Sequence, residues 1–396
     1  MQSLPLGFRM TGLRCGIKPA ADKLDLTLIV ADEDATAAGV YTQNLVYAAP
    51  VAIDRERTPS RRARAVVVNS GNANACTGQR GLDDARRMAQ VTAEAIGVEA
   101  EQVLVMSTGV IGQFLPMDKI EAGVRNAASQ LGHTGEDFVL AARGICTTDK
   151  SHKIATREFQ LAGRTVRIAG MAKGAGMIGP RMATMLAVIM TDARLEPIDA
   201  QYALSEAVNE SFNCISVDGH MSTNDTVLLL ASGAAMDEPL PSSEGFVFFR
   251  ELRELCVELA KQIPDDGEGA SHLMCIHVRG CISDADARRI AQTVAESPLV
   301  KTAVAGNDPN WGRIVSAAGY AGVSFDPDRL ELRLNGTLLY RDGAPQPFDD
   351  PAVSRSMRES RETRIELNLH LGGAEANFWA SDLTHEYVRI NADYRT

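Results

Sequence analysis

Residues 173–184 read Lys-Gly-Ala-Gly-Met-Ile-Gly-Pro-Arg-Met-Ala-Thr and run directly into the apolar stretch Met-Leu-Ala-Val-Ile-Met. Gly174, Gly176 and Gly179 reach backbone conformations closed to other residues, and Pro180 fixes one dihedral. The chain is therefore built to turn here, and the turn stops at a hydroxyl residue, Thr184, that opens a segment apolar enough to be buried. A hydroxyl so placed can attack the carbonyl before it. If Thr184 Oγ adds to the Ala183 carbonyl carbon, the amide becomes an ester and water then releases it. Thr184 is left as a chain terminus whose free α-amine can act as its own general base.

The same residues admit two blander readings. Gly174-Ala-Gly176-Met-Ile-Gly179 fits G-x-G-x-x-G, which as a dinucleotide fingerprint needs a preceding strand, a helix opening at the glycines and an acidic residue about 20 positions on. Residues 164–169 could supply the strand and Asp192 the acid, but between Gly179 and Asp192 there is little room for a helix and a second strand. The third reading is an inert tight turn. The loop alone does not choose among the three.

Composition narrows the partners. A chain of 396 residues, 45% hydrophobic, can bury a large core and is long enough for two domains. Its formal net charge of -11 would repel a phosphate backbone, and no run of Lys or Arg forms a basic patch. Nucleic acid is therefore not an expected partner. Residues 1–18 lack an apolar core of signal-peptide length and no later stretch approaches a membrane span, so the expectation is a cytoplasmic protein without a membrane partner. Seven cysteines, an odd number without a C-x-x-C pair, read as reduced thiols, with Cys275 and Cys281 as small hydrophobes in a strand. His272 and His277 stand five apart with no H-E-x-x-H and no carboxylates at ligand spacing, so no metal is expected.

Periodicity gives mixed strands and helices without a sustained βαβ alternation. Strands are expected over 24–30, 64–69 and 103–106, and an amphipathic helix over 82–96, stopped by Gly97. A helix over 243–262 would carry Phe248, Phe249, Leu252, Leu255, Cys256 and Leu259 on one face and stop before Pro264. Ser283 looks like the cap of another helix ending by Pro298. Residues 329–341 alternate around Asn335-Gly336, a hairpin signal, and 363–371 alternate again.

Several polar, glycine-bearing loops abut these runs. One is 69–78. Another is Ser107-Thr108-Gly109 after the 103–106 strand, where a hydroxyl beside a glycine could form an oxyanion hole or simply a satisfied turn. Residues 265–269, with three carboxylates, suit a ligand ammonium group, although acidic loops are usually only solvated. Residues 222–226 and 308–313 are denser in functional groups than a loop needs.

Together these segments resemble the ornithine acetyltransferase family, also called glutamate N-acetyltransferase, of the cyclic arginine pathway. The resemblance is carried over nearly the whole chain by NSGNANACTG at 69–78, STGVIG at 107–112, TTD at 147–149 and KGAGMIGPRMATML at 173–186. It continues with STNDTVLLLA at 222–231, DGEG at 266–269, DPNWGR at 308–313 and the ending INADYRT. It implies an α+β fold, a layered sandwich of sheets between helices that is similar to, without sharing the topology of, the N-terminal-nucleophile hydrolases. It also implies self-cleavage between Ala183 and Thr184, giving an α chain of 1–183 and a β chain of 184–396 that stay together, as an α2β2 heterotetramer.

Carried over by position, the resemblance makes Thr184 the acyl acceptor and Thr108 with Gly109 the oxyanion hole. Substrate contacts fall on Thr147, Lys173, Thr184, Glu268, Asn391 and Thr396. N-acetylornithine would acylate Thr184, ornithine would leave, and glutamate would collect the acetyl group without a cofactor; acetyl-CoA as a further donor cannot be read from these motifs. From charge alone, Lys173 would meet a substrate carboxylate and Glu268 the ornithine ammonium. The chain departs from the family pattern at Arg181, at His220-Met221 and at Asn307, while the nucleophile, oxyanion and DGEG residues are intact. The alternatives are an aminopeptidase or amidohydrolase of the related type, in which water takes the acyl group, and an acetyltransferase with an altered substrate.

Overall fold

The computed structural model describes residues 3–179 and 185–393, so Arg181, Ala183, Thr184 and Thr396 lie outside the described residues. Within them the strands are β1 (Phe8–Leu13), β2 (Leu26–Tyr41), β3 (Ser60–Asn72), β4 (Val103–Val110), β5 (Lys153–Leu161), β6 (Arg164–Lys173), β7 (Leu186–Thr191), β8 (Ile215–Ser216), β9 (Thr226–Ala231), β10 (Leu273–Cys281), β11 (Glu331–Leu334), β12 (Thr337–Arg341), β13 (Ala344–Pro345), β14 (Glu362–Asn368) and β15 (Ala374–Ser381). The α-helices are α1 (Ala49–Arg57), α2 (Gly78–Ile96), α3 (Met117–Ala128), α4 (Gly135–Gly144), α5 (Pro197–Asn209), α6 (Gly245–Asp265), α7 (Asp284–Glu296), α8 (Pro298–Ala305), α9 (Trp311–Gly319), α10 (Asp350–Arg358) and α11 (His385–Asp393).

One sheet has the order β4-β3-β2-β9-β7-β6-β5, with β1 added on β2, and the other the order β13-β12-β11-β14-β10-β15-β8. Parallel pairs such as β3 with β4 and β7 with β9 mix with antiparallel ones such as β6 with β7. The architecture is α+β, as expected.

Strands β7 and β9 are buried along their whole length. In β7, Leu186, Val188 and Met190 face a cluster that includes Phe138 of α4. Ala187 and Ile189 face another, with Leu204 of α5 and Leu252, Leu255 and Leu259 of α6. A strand covered on both faces must be apolar at every position, which is why 185–190 shows no alternation. Helix α6 touches β5 and β6 of the first sheet and β15 of the second, so it packs between them, while α7 packs on β10 and β15. In β14, Thr363, Ile365 and Leu367 are buried and Arg364 and Glu366 exposed, the alternation of a strand with one covered face.

Several boundaries differ from the periodicity. Strand 103–106 continues to Val110, because pairing with β3 persists through Ser107, Thr108 and Gly109. The expected turn is therefore a strand end. Helix α6 contains Pro264 instead of stopping before it; the proline is buried in the last turn and interrupts a single i→i−4 bond one residue before the helix ends. Helix α2 begins at Gly78 and ends, as expected, with Gly97 in the left-handed region. The hairpin joining β11 and β12 has positive φ at both Asn335 and Gly336, which a two-residue type I′ turn requires.

The site owes its position to β2. Its pairing with β3 shifts register between Val30 and Ala37, and such irregularities bend a strand and increase its twist. The first part of β2 pairs with β3 and the last part with β9. In the curled sheet the ends of β4 and β6, which are not neighbours in the strand order, come within side-chain reach of each other.

Candidate active site

Thr108 and Gly109 stand at the end of β4. Gly109 has φ 134, and a Cβ there would lie 2.2 Å from the Gly71 carbonyl carbon, so no other residue fits without displacing the β3 backbone. Lys173, the last residue of β6, is buried and donates from Nζ to Thr108 Oγ1 at 3.0 Å. Because a hydroxyl that accepts from an ammonium still has its own hydrogen to give, Thr108 remains available as a donor to a third atom.

Asparagines fix this strand end. Asn224 Nδ2 donates to the carbonyls of Ala73 and Ser107 at 2.6 and 2.8 Å, tying 222–226 to both β4 and the 69–78 loop. Asn69 Oδ1 accepts from Ser107 Oγ at 2.5 Å and Asn72 Nδ2 donates to the Gln113 and Phe114 carbonyls. The polar density of those two loops is thus largely scaffold.

Glu268, Asn391 and Tyr387 close the opposite wall. Asn391 Nδ2 donates to Glu268 Oε2 at 2.9 Å, and the Glu268 amide donates to the Ala175 carbonyl at 2.8 Å. Gly176 passes so close that a Cβ would sit 2.5 Å from the Glu268 carboxyl group. Asp218 gathers the Met177 and Ile178 amides and the Tyr387 hydroxyl, at 2.7, 2.9 and 3.2 Å. It thereby locks the glycine loop to α11.

These groups surround one cavity of about 260 Å³ whose lining includes Thr108, Gly109, Thr147, Lys173, Glu268 and Asn391. Every sequence-derived contact within the described residues is therefore on one surface. The cavity lies a little below the roughly 300–1,000 Å³ of drug-sized pockets, which suits a ligand of amino-acid size. Met177 is on the cavity wall; the described structure ends at Gly179 and resumes at Met185, whose amide donates to Asp225 Oδ1 at 2.9 Å. Thr184, Ala183 and Thr396 are outside the described residues.

Behind the wall lies a buried charge network. Asp149 accepts from Lys153 Nζ at 2.6 Å and from the amides of Gly174 and Thr147 at 2.7 and 2.9 Å, and Lys153 also reaches Asp266 at 2.7 Å. Burial pushes the Asp149 carboxyl up, but Lys153, Lys173 and these hydrogen bonds outweigh it and hold it well below the usual carboxylate range. Burial lowers the Lys173 ammonium, with Asp149 opposing the shift. Lys173, expected from its charge to meet a substrate carboxylate, lines the cavity and directs its ammonium at Thr108 Oγ1.

Asp218, His220, Met177 and Tyr387 also line the cavity, without having been expected there. His220 belongs to the His220-Met221 departure from the family pattern, Asp218 lies two residues before it, and an isolated Tyr carries no signal. Among the described residues no group of three or more His, Cys, Asp or Glu side chains could hold a metal, and no helix is long and apolar enough to cross a membrane.

The ArgJ family model matches residues 9–396. The arginine biosynthesis bifunctional protein ArgJ of Rhodopirellula baltica is 46% identical over 396 residues, 99% of this chain and 96% of its own length. That of Geobacter sulfurreducens is 47% identical over 392 residues, 98% of this chain and 99% of its own. A crystal structure of the ArgJ protein of Bacillus halodurans is 39% identical with a TM-score of 0.50, covering 51% of this chain and 96% of that chain. On this match across nearly its whole length, the chain belongs to the ArgJ family.

Proposed function

We propose that this protein transfers the acetyl group of N2-acetylornithine to glutamate through an acetyl-Thr184 intermediate, in the cyclic route of arginine biosynthesis. The observation that carries the reading is the meeting, around one amino-acid-sized cavity, of Thr108 and Lys173 from the first half of the chain with Glu268 and Asn391 from the second. Met177, shortly before 180–184 in the chain, lines that cavity. The reading divides the chain into 1–183 and 184–396. The solved relative, matched over 96% of its own chain but over only half of this one, has the length of one such piece.

The chemistry divides between the two walls. The neutral α-amine of Thr184 takes the hydroxyl proton as Oγ attacks the acetyl carbonyl carbon. Negative charge develops on the carbonyl oxygen, where the Thr108 hydroxyl and the Gly109 amide are the donors; Lys173, bonded to Thr108 Oγ1, polarises that hydroxyl. The C–N bond breaks, the proton passes to the ornithine amine, and an ester to Thr184 remains. The glutamate amine then attacks the ester, and Thr184 Oγ leaves with a proton. Glu268, held by Asn391, supplies the negative charge for the ornithine side-chain ammonium. The sequence needs no cofactor; acetyl-CoA as a further donor would enter at the acylation step. The two pieces are expected to assemble as an α2β2 heterotetramer in the cytoplasm.

Steady-state kinetics test the reading. Varying N-acetylornithine and glutamate should give parallel double-reciprocal lines, and Thr184→Ala should remain one uncleaved chain without activity. Acetate release in place of acetylglutamate would transfer the assignment to a hydrolase, and cleavage in the alanine variant would end it.

A further inference from the structure

Tyr387 and Asn391 stand one turn apart on α11, and both line the cavity beside Glu268 and Asp218. A tyrosine hydroxyl has one hydrogen to donate and an asparagine amide has two. All three are spent on the protein. Tyr387 donates from its hydroxyl to Asp218 Oδ2 at 3.2 Å, an oxygen that also takes the Met177 amide at 2.7 Å. Asn391 Nδ2 donates to Glu268 Oε2 at 2.9 Å and to the Tyr387 carbonyl at 3.1 Å. A carbonyl can only accept, which fixes the amide with its nitrogen on that side. Burial pushes the Tyr387 hydroxyl well above the ordinary phenol range, and Asp218 and Glu268 add to the shift, so its hydrogen stays in place at neutral pH.

What these side chains have left is acceptor capacity. It consists of the Tyr387 oxygen, Asn391 Oδ1 and the Glu268 oxygen that Asn391 does not take. An alkylammonium is the inverse, with three donors and no acceptor. A neutral amide or hydroxyl would bring lone pairs of its own against these oxygens, and an alkyl end would leave them without a donor, which is costly wherever water is displaced.

We propose that Tyr387 is a specificity-determining residue: its hydroxyl oxygen accepts from the side-chain ammonium of the acetyl donor, beside Glu268 and Asn391, and so favours a donor that ends in a cation. The inference rests on the reading that Glu268 meets that ammonium. Asp218 is the positioning residue. Its two oxygens also hold the Met177, Ile178 and His220 amides, and by taking the phenol hydrogen it leaves Tyr387 only lone pairs to offer a ligand.

The test compares two acetyl donors on the purified enzyme, N2-acetylornithine and N2-acetylnorvaline, which lacks only the ammonium group. Tyr387→Phe removes the oxygen and keeps the ring, and Asp218 Oδ2 keeps the Met177 amide. In this variant kcat/KM for N2-acetylornithine should fall about tenfold or more, as expected for losing a hydrogen bond to a charged group. The fall should come through KM, while kcat/KM for N2-acetylnorvaline stays within about twofold of wild type. A role confined to packing would lower both donors together. That result, or no change in either, would overturn the proposal. Glu268→Gln checks the underlying reading, because its preference for N2-acetylornithine should shrink as well. If it does not, the ammonium is bound elsewhere and the reading of Glu268 fails together with the inference. If it does shrink while Tyr387→Phe keeps the wild-type preference, only the part given to Tyr387 falls.

Discussion

Two polar clusters in this molecule differ in a way that their residue types do not announce. Ser271, His272 and Asp382 are the constituents of a hydrolytic triad. Yet His272 Nδ1 faces both Ser271 Oγ at 3.0 Å and Asp382 Oδ2 at 3.1 Å, while Ser271 Oγ also donates to Asp382. A working relay needs one ring nitrogen for the nucleophile and the other for the acid. Here one nitrogen serves both, and none of the three residues lines the cavity. Thr108, Lys173 and Asp149 include no such triad, but the hydroxyl of Thr108, which lines the cavity and accepts from Lys173, keeps its own hydrogen to donate. What separates a site from scaffold is the bonding capacity left over after folding.

The largest effect should come from removing that spare donor. Thr108→Ala is expected to lower kcat by about 10²–10³, the usual cost of one oxyanion donor, with KM for N-acetylornithine nearly unchanged. A raised KM at constant kcat would show Thr108 to be only a binding residue.

The network behind the wall should matter to stability before it matters to rate. Asp149→Asn leaves Lys153 with one carboxylate instead of two, and breaking a buried pair costs about 3–5 kcal/mol. Since the Asp149 carboxyl is held below its ordinary range in the folded chain, its stabilisation is fully present above the unfolded pKa of about 3.9. It is lost as pH falls through the folded value. The gap in Tm between wild type and Asp149→Asn should therefore be constant near neutrality and shrink below about pH 4. A gap that widens on acidification would contradict the assignment.

Glu268→Gln sharpens the division of labour between the walls. It keeps an acceptor for Asn391 and removes the charge, so KM for N-acetylornithine should rise about tenfold, consistent with a charge-assisted hydrogen bond of about 1.5–3 kcal/mol, with kcat little altered. A fall in kcat alone would move Glu268 into the bond-breaking step.

The smallest effect belongs to the closed cluster. Ser271→Ala should leave kcat within about twofold of wild type and cost about 0.5–1.5 kcal/mol of stability, the net worth of one hydrogen bond, because Asp382 keeps the residue-271 amide and His272. A hundredfold loss of activity with an unchanged Tm would give this cluster a catalytic part after all.

The pocket was legible to the extent that its chemistry is local. Thr108-Gly109 announced itself as a hydroxyl beside a glycine, and Gly174, Gly176 and Gly179 as a loop of close approach; Gly176 indeed passes against Glu268. The strand end at Val110 is not legible locally because Ser107 and Gly109 favour turns, and tertiary pairing with β3 overrides that preference. Pro264 signals a stop because its ring removes a helical donor, and the packing that accommodates it in the last turn of α6 is not local information. Asp218 and Tyr387 meet across 169 positions, and the hydrogen bond between Lys173 and Thr108 depends on the bend of β2. Such juxtapositions are products of topology and leave no periodic trace in the chain.

The central claim is that the acetyl group travels on Thr184, and intact mass spectrometry tests it most directly. Purified protein incubated with N-acetylornithine alone and rapidly quenched should give two fragments, with one acetyl group on the fragment that begins at Thr184. A single undivided chain, or an acetyl group on the fragment containing Thr108 and Lys173, would contradict it.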